Sequence, residues 1–316
     1  MGVGLELFAM DDLVESRTAG FVLPTSLPER LSFMQTPSDM CVHLMSRAYG
    51  LARPPVVHVS ACAAGTDAIG AAYRLIASGL RRWMLAGGTD SMINPLGVSG
   101  FCALNATSTR NEEPARASRP FDRTRTGFVM GEGAGVLVLE TLEDALARGA
   151  TIHAEIAGYG NSFDAHGISE PHPEGRGALQ AMARAVADAG ITPDAIDCVN
   201  AHGTGTPKND PVETLALKRL LGDRARRVPV CATKSMIGHL ISAAGAVEAI
   251  AAIGCMARGL VHPTINLREP DPQCDLDYVP DVARVHAHDC VLSSSFGFGG
   301  HNAAIVIRGG RDAPWR

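Results

Sequence analysis

The sequence has little of what marks membrane, disulfide-rich or nucleic-acid-binding proteins. Aromatic residues make up only 5% of the 316 residues, and no uninterrupted apolar run reaches the ~18 residues of a membrane-spanning helix. The eight cysteines never occur at C-x-x-C spacing, which argues against a structural zinc or dithiol site and predicts reduced thiols. The formal net charge of −5 argues against nucleic acid. We therefore expect a globular protein with no metal, nucleic-acid or membrane partner.

The N-terminus also lacks the pattern of a secretory signal. Residues 1–17, MGVGLELFAMDDLVESR, carry acidic residues early and no basic stretch ahead of an apolar run. A cytoplasmic location is the expectation that follows.

What the sequence does contain is an alternation of strand and helix patterns. Residues 56–60 (VVHVS) alternate like a strand, residues 63–79 are typical of a helix, and residues 81–88 (RRWMLAGG) form a short apolar strand. A similar succession follows later in the chain, with 46% hydrophobic residues overall to build a core. The order predicts an α/β protein of two similar halves, residues 1–150 and 151–316, each placing a chemical group where a strand ends.

Cys62 stands where the first of these strands gives way to a helix. A thiol at a helix N-terminus lies near the positive end of the helix dipole, which lowers its pKa and favours a nucleophilic thiolate. The neighbouring alanines and Gly65 leave room for a substrate. On local grounds alone, an inert buried cysteine is slightly favoured over this reading.

Three later stretches carry further candidates. Residues 200–207 (NAHGTGTP) place His202 on a glycine-rich turn, and residues 233–239 (TKSMIGH) place Lys234 and His239 ahead of a small-residue helix. Residues 293–300 (SSSFGFGG) form a glycine-rich turn that contains Phe298. Taken singly, each is weak, because a lone histidine is more often a core residue than a catalyst.

Taken together and in this order, the four stretches resemble the β-ketoacyl-acyl carrier protein synthases, most closely the chain-elongating type. The resemblance runs from about residue 3 to the C-terminus and includes GFVMGEGAGVLVLE at 127–140 and HPTINL at 262–267. It implies a thiolase-like fold, in which two α/β halves stack as α-β-α-β-α layers. Family members carry more chain ahead of this start, so we expect the first half to be incomplete there.

The resemblance also implies roles for the reactive residues. Cys62 takes the acyl group, and the backbone N–H groups of Cys62 and Phe298 form its oxyanion hole. His202 and His239 donate hydrogen bonds to the thioester oxygen of a malonyl donor. Lys234 and Glu213 support the histidines as a buried ion pair.

Substrate-binding roles follow from the same resemblance. Thr204 and Thr206 match the threonines that bind the phosphopantetheine arm, and Phe298 matches the gate of the acyl pocket. Phe101 and Met92 are expected to line that pocket, with plain core packing an equal alternative for both.

The implied activity is that of an acyltransferase, a 3-oxoacyl-[acyl-carrier-protein] synthase that catalyses decarboxylative Claisen condensation in fatty acid or polyketide synthesis. It needs acyl carrier protein as partner and no cofactor beyond the phosphopantetheine arm of that partner. We expect a homodimer, or a heterodimer with a second ketosynthase-like chain. The alternatives are a non-catalytic partner of the chain-length-factor type, which lacks the active-site cysteine, and an inactive fragment. A degradative thiolase should carry a second reactive cysteine where this chain has SFGFGGHN at 295–302.

Overall fold

The structure, a computed structural model, describes residues 1–3 and 39–309. Strands and helices alternate along this part of the chain, as the sequence predicts. The strands are β1 (Gly2–Val3), β2 (Trp83–Asp90), β3 (Gly133–Glu140), β4 (Glu155–Phe163), β5 (Cys198–Asn200), β6 (Val230–Cys231), β7 (Leu260–Val261), β8 (Arg284–Val285), β9 (Cys290–Gly297) and β10 (His301–Arg308). The helices are α1 (Met40–Ala48), α2 (Ala64–Ala77), α3 (Pro95–Ala103), α4 (Leu142–Ala147), α5 (Arg176–Asp188), α6 (Asn209–Leu221), α7 (Lys234–Ile237) and α8 (Ala244–Arg258).

The later half of the chain forms a five-stranded mixed sheet in the order β4-β10-β9-β5-β6. Strand β10 runs antiparallel to both β4 and β9, and β5 runs parallel to β9 and β6. Strands β9 and β10 are buried along almost their whole length, because helices cover both faces of this sheet.

The earlier half forms a smaller sheet in the order β1-β2-β3, with β1 parallel and β3 antiparallel to β2. The strand predicted at residues 56–60 is reduced to a single bridge between His58 and Gly2. Its described neighbour, β1, has only two residues, so a longer ladder has no partner within the described part of the chain.

Helices α2 and α8 form a middle layer between the two sheets. Each contacts strands of both sheets, and they pack against each other. A Cβ at Gly65 would lie 2.7 Å from the carbonyl oxygen of Ser242, so glycine is needed for this close approach. Helix α5 covers the outer face at β4 and β10, and Val42 of α1 packs against Met1 and Val3. The two-half α/β architecture expected from the sequence is therefore present.

Both middle helices begin at the same kind of strained turn. A 3₁₀ turn, Ala61–Ala63, leads into α2, and another, Ile241–Ala243, leads into α8. Ala61 has φ of 48° and Ile241 has φ of 46°. Such angles are unfavourable for alanine and more so for a β-branched residue, and strain of this kind is typical of functional sites.

Residues 241–258, which include α8, are long and apolar enough to cross a membrane by composition, with a mean hydropathy of 1.4. A search for an uninterrupted apolar run misses this stretch because Glu248 lies within it. In the structure α8 lies between the two sheets, as a core helix does, and Glu248 is buried there.

Candidate active site

Cys62 lies in the first strained turn, and 4% of its surface is exposed. The backbone N–H groups of Phe298 and of Cys62 itself approach its Sγ. A Cβ at Gly297 would lie 2.6 Å from the carbonyl oxygen of Ser60 and 3.1 Å from the nitrogen of Cys62, so only glycine lets this segment pass so closely. The turn thus brings two backbone donors to the sulfur, the arrangement that an oxyanion hole requires.

Burial dominates the ionisation of Cys62. Desolvation raises the pKa of the thiol to about 12, and the positive charge of Lys234 and the two backbone N–H groups lower it only in part. The expectation of a resting thiolate is therefore wrong. Near pH 7 the side chain of Cys62 is therefore a protonated thiol.

A small cluster of packed apolar side chains surrounds Cys62. The ring of Phe101 lies 5.4 Å from that of Phe128, edge to face, and 6.2 Å from that of Phe298. Phe101 and Phe298 thus lie together beside Cys62, and their roles as pocket wall and gate stay predictions. Met92 is outside this cluster and lies against Gly97 at the start of α3, and its place in the pocket wall stays a prediction. The cluster consists of Cys62, Ala106, Phe128 and Ile241, with Phe101, Met130 and Phe298 packed against it.

His239 is held firmly at the second strained turn. Its backbone N–H donates to the carbonyl of Val129 (2.7 Å), and its carbonyl accepts from the N–H of Gly131 (2.9 Å). Its Nδ1 accepts from the N–H of Ile241 (3.1 Å), so in the neutral ring the proton is on Nε2. His239 therefore presents one fixed N–H donor.

His202 lies beside His239, with ring centroids 5.3 Å apart and planes at 84°. Its Nδ1 is buried without a hydrogen-bond partner among the described residues. Burial, then the charge of Lys234, lowers the pKa of both imidazoles well below 6.5. Both rings are thus neutral near pH 7 and suited to hydrogen-bond donation rather than to proton release.

Glu213 supports His202 through the backbone and not through Lys234. Its carboxylate accepts from the N–H groups of His202 (2.7 Å) and Gly203 (2.8 Å), and from the hydroxyl of Ser294 (3.0 Å). It fixes the turn that carries the histidine.

The partner of Lys234 is Glu248 of α8. Its Nζ donates to Oε1 of Glu248 at 2.5 Å, and each side chain is 1% exposed. Burial raises the pKa of Glu248 to about 7, against the lowering effect of Lys234. The predicted pair of Lys234 with Glu213 is wrong. The sequence could have indicated Glu248, because it is a lone carboxylate within an apolar stretch of small residues. A buried carboxylate of this kind needs a charged or hydrogen-bonding partner.

The two threonines after His202 shape the same turn. The hydroxyls of Thr204 and Thr206 lie 3.0 Å apart, and Oγ1 of Thr206 accepts from the N–H of Asn209 (3.2 Å) at the start of α6. Thr206 is partly exposed and Thr204 is buried. Their role toward a phosphopantetheine arm stays a prediction.

Sequence reasoning also missed a carboxylate beneath the nucleophile. Asp67, in the first turn of α2, accepts from the hydroxyls of Ser60 (2.5 Å) and Tyr159 (2.6 Å). It ties the Cys62 turn to strand β4 of the other half. No group of three histidine, cysteine, aspartate or glutamate side chains in residues 1–3 and 39–309 is arranged to hold a metal ion.

Sequence comparison identifies the family to which the chain belongs. The models of the β-ketoacyl synthase N-terminal and C-terminal domains match residues 17–145 and 153–268. The chain belongs to the β-ketoacyl synthase family, and its fold is thiolase-like, as expected. It is 48% identical over 293 residues to the 3-oxoacyl-[acyl-carrier-protein] synthase 2 of Synechocystis and 46% identical over 288 residues to that of Coxiella burnetii. These matches cover 93% and 90% of this chain, but 68% and 70% of the relatives.

Solved structures agree with this assignment. A type II polyketide ketosynthase, in complex with its acyl-carrier protein and bound to the hexaketide, matches with a TM-score of 0.90 and 35% identity. The match covers 93% of this chain and 72% of that one. A β-ketoacyl synthase from Burkholderia phymatum matches with a TM-score of 0.88 and 39% identity, over 98% of this chain and 75% of that one.

Proposed function

We propose that the protein is a 3-oxoacyl-[acyl-carrier-protein] synthase that joins an acyl group to a malonyl unit with loss of carbon dioxide. The observation that carries the proposal is the pairing of Cys62, beside two backbone N–H groups, with two adjacent neutral imidazoles. The first half of the site suits acyl transfer to sulfur. The second suits stabilisation of an enolate.

In the first step, Sγ of Cys62 attacks an acyl thioester carried by acyl carrier protein. The carbonyl oxygen becomes negative in the tetrahedral intermediate, where the N–H groups of Cys62 and Phe298 stabilise it. The carrier thiol leaves with the proton that Cys62 loses, and an acyl-Cys62 thioester remains. The apolar cluster around Cys62 takes the acyl chain out of water.

In the second step, a malonyl thioester lies with its carbonyl oxygen near the two histidines. As carbon dioxide leaves, charge grows on that oxygen, and the Nε2–H of His239 together with the ring of His202 stabilises the enolate more than the ground state. The enolate carbon attacks acyl-Cys62, forms the new C–C bond and releases the sulfur, which takes up a proton.

The proposal includes acyl carrier protein as the donor of both substrates through its phosphopantetheine arm, bound near Thr204 and Thr206. It needs no resident metal or redox cofactor. We further propose a cytoplasmic enzyme that forms a homodimer. A heterodimer with a chain-length-factor chain is the second form, since one solved structure with 27% identity is a ketosynthase in complex with its chain length factor.

Intact-protein mass spectrometry tests the proposal. Parent chain and Cys62→Ala are each incubated with an acyl-carrier thioester, and an acyl-sized mass gain is expected in the parent alone. Cys102→Ala, which removes the exposed cysteine, is the matched control and should keep the adduct. Absence of any adduct in a folded parent chain would favour a non-catalytic partner protein.

A further inference from the structure

A chain of three side chains connects the Cys62 turn to the second half of the molecule. The hydroxyl of Ser60 donates to one carboxylate oxygen of Asp67 (2.5 Å), and the hydroxyl of Tyr159 donates to the other (2.6 Å). Ser60 and Tyr159 are both buried, so water has little access to either hydroxyl. Hydroxyl–carboxylate bonds of this length are among the stronger hydrogen bonds in proteins. Asp67 therefore holds the two side chains in defined positions.

The Tyr159 end of this chain is anchored in the second half. Tyr159 lies within β4, and its backbone N–H donates to the carboxylate of Asp188 in α5 (2.9 Å). Its ring packs on Gly70 of α2, where a Cβ would lie 2.1 Å from a ring carbon, and the guanidinium carbon of Arg74 lies 4.6 Å from the ring centroid. Tyr159 is thus a firmly placed anchor for Asp67.

The Ser60 end borders both backbone donors beside the nucleophile. The carbonyl oxygen of Ser60 accepts from the N–H of Ala63 (3.0 Å), which closes the turn that contains Cys62. The same oxygen packs against Gly297, where a Cβ would lie 2.6 Å from it, and the next residue, Phe298, supplies the second N–H group. A displacement of Ser60 would therefore move Cys62 relative to that N–H group.

The turn also needs a constraint from outside. Ala61, directly after Ser60, has φ of 48°, which is unfavourable for alanine. Strain of this kind persists where the surrounding structure holds it in place. The bond from Ser60 to Asp67 provides such a constraint at the residue where the strained turn begins.

We propose that Asp67 is a positioning residue for the acylation of Cys62. By holding Ser60, it keeps the N–H groups of Cys62 and Phe298 directed at one carbonyl oxygen, the geometry on which oxyanion stabilisation depends. This inference rests on the proposed function, because acyl transfer is the step that it concerns.

The two histidines are supported separately. The carboxylate of Glu213 accepts from the N–H of His202, and the N–H of His239 donates to the carbonyl of Val129. Loss of the Asp67 carboxylate leaves both of these bonds in place. Decarboxylation of a malonyl thioester should therefore be much less sensitive to Asp67 than acylation is.

Single-turnover kinetics tests the proposal by measuring acylation from an acyl-carrier thioester and decarboxylation of malonyl-acyl carrier protein in the same variants. Asp67→Ala removes both acceptors and should slow acylation about ten- to hundredfold, because a misplacement of about 1 Å can cost about 10² in rate. Its decarboxylation should change less than about threefold. Asp67→Asn keeps an acceptor oxygen for Ser60 and offers an N–H to the oxygen of Tyr159, so it should acylate within about threefold of the parent rate.

Two further variants locate the effect. Ser60→Ala should slow acylation as Asp67→Ala does, and the double variant should be no slower than the slower single one, because both changes remove the same contact. Tyr73→Phe is the matched control. Its hydroxyl donates to the carbonyl of Ala157 (3.1 Å) and so joins the same helix, α2, to the same strand, β4, further from the nucleophile turn. It should leave both steps unchanged.

The results separate this inference from the proposed function. Parallel loss of both steps in Asp67→Ala, or acylation at the parent rate in Asp67→Ala and Ser60→Ala, would overturn the inference alone. A folded parent chain that is neither acylated nor able to decarboxylate the malonyl thioester would overturn the proposed function and the inference with it. If Asp67→Ala does not fold, Ser60→Ala decides the question, because it removes a single hydroxyl.

Discussion

Replacing His239 separates the two steps of the proposed reaction. Because Nδ1 of His239 accepts the N–H of Ile241, only Nε2–H can donate to the enolate oxygen. Removing one such preplaced donor costs about 3–4 kcal/mol in the barrier, or a 10²–10³-fold loss of rate. Decarboxylation of malonyl-acyl carrier protein by His239→Ala should fall by that factor, whereas acylation of Cys62 should change less than about tenfold.

A second variant separates catalysis from structure. His239→Ala leaves the N–H of Ile241 buried without an acceptor, which costs about 1–3 kcal/mol of unfolding free energy. His239→Asn offers Oδ1 as a replacement acceptor but is too short to reach the substrate as Nε2 does. It should recover most of the stability and none of the decarboxylation. Carbon dioxide release and mass spectrometry measure the two steps, and the reasoning is refuted if His239→Ala decarboxylates at the parent rate or loses acylation in parallel.

Three further predictions concern the buried ionisable groups. With a pKa near 12, Cys62 should react with iodoacetamide about tenfold faster per pH unit from pH 7 to 10, because the thiolate is the reactive form; a plateau below pH 8 would contradict this. Lys234→Met should lower the unfolding free energy by about 3–5 kcal/mol in urea titrations, and the double variant with Glu248→Leu should recover most of it. Glu213→Ala should reduce decarboxylation and stability together, since it frees the His202 turn, and Glu213→Gln, which keeps one acceptor oxygen, should do less harm.

Much of the fold could be predicted because local pattern and final structure agree. GAGVLVLE at 133–140 and NAAIVIRG at 302–309 contain short apolar runs typical of strands and form β3 and most of β10, and the small-residue stretches after Cys62 and His239 form the middle helices. Residues 56–60 were harder to predict, because a strand exists only where another strand pairs with it.

The reactive residues could be identified because their order along the chain resembles that of a known family. The ion pairing and pKa values of these residues could not be predicted from the sequence. Whether Lys234 meets Glu213 or Glu248 depends on how α8 crosses the sheets, and the pKa of Cys62 depends on how completely the rest of the chain excludes water. Both are decided by packing between distant segments, which no local pattern encodes.

The two strained turns have the same backbone conformation but different roles in the proposed reaction. At Ala61 the left-handed residue leads directly to the nucleophile, whereas at Ile241 its N–H fixes the tautomer of a hydrogen-bond donor. In the proposed mechanism, the same backbone conformation thus serves a covalent bond to Cys62 in one half and the stabilisation of an enolate in the other. The two turns also contact each other, since Cys62 and Ile241 belong to one apolar cluster, and the proposed carbon–carbon bond would form where they meet.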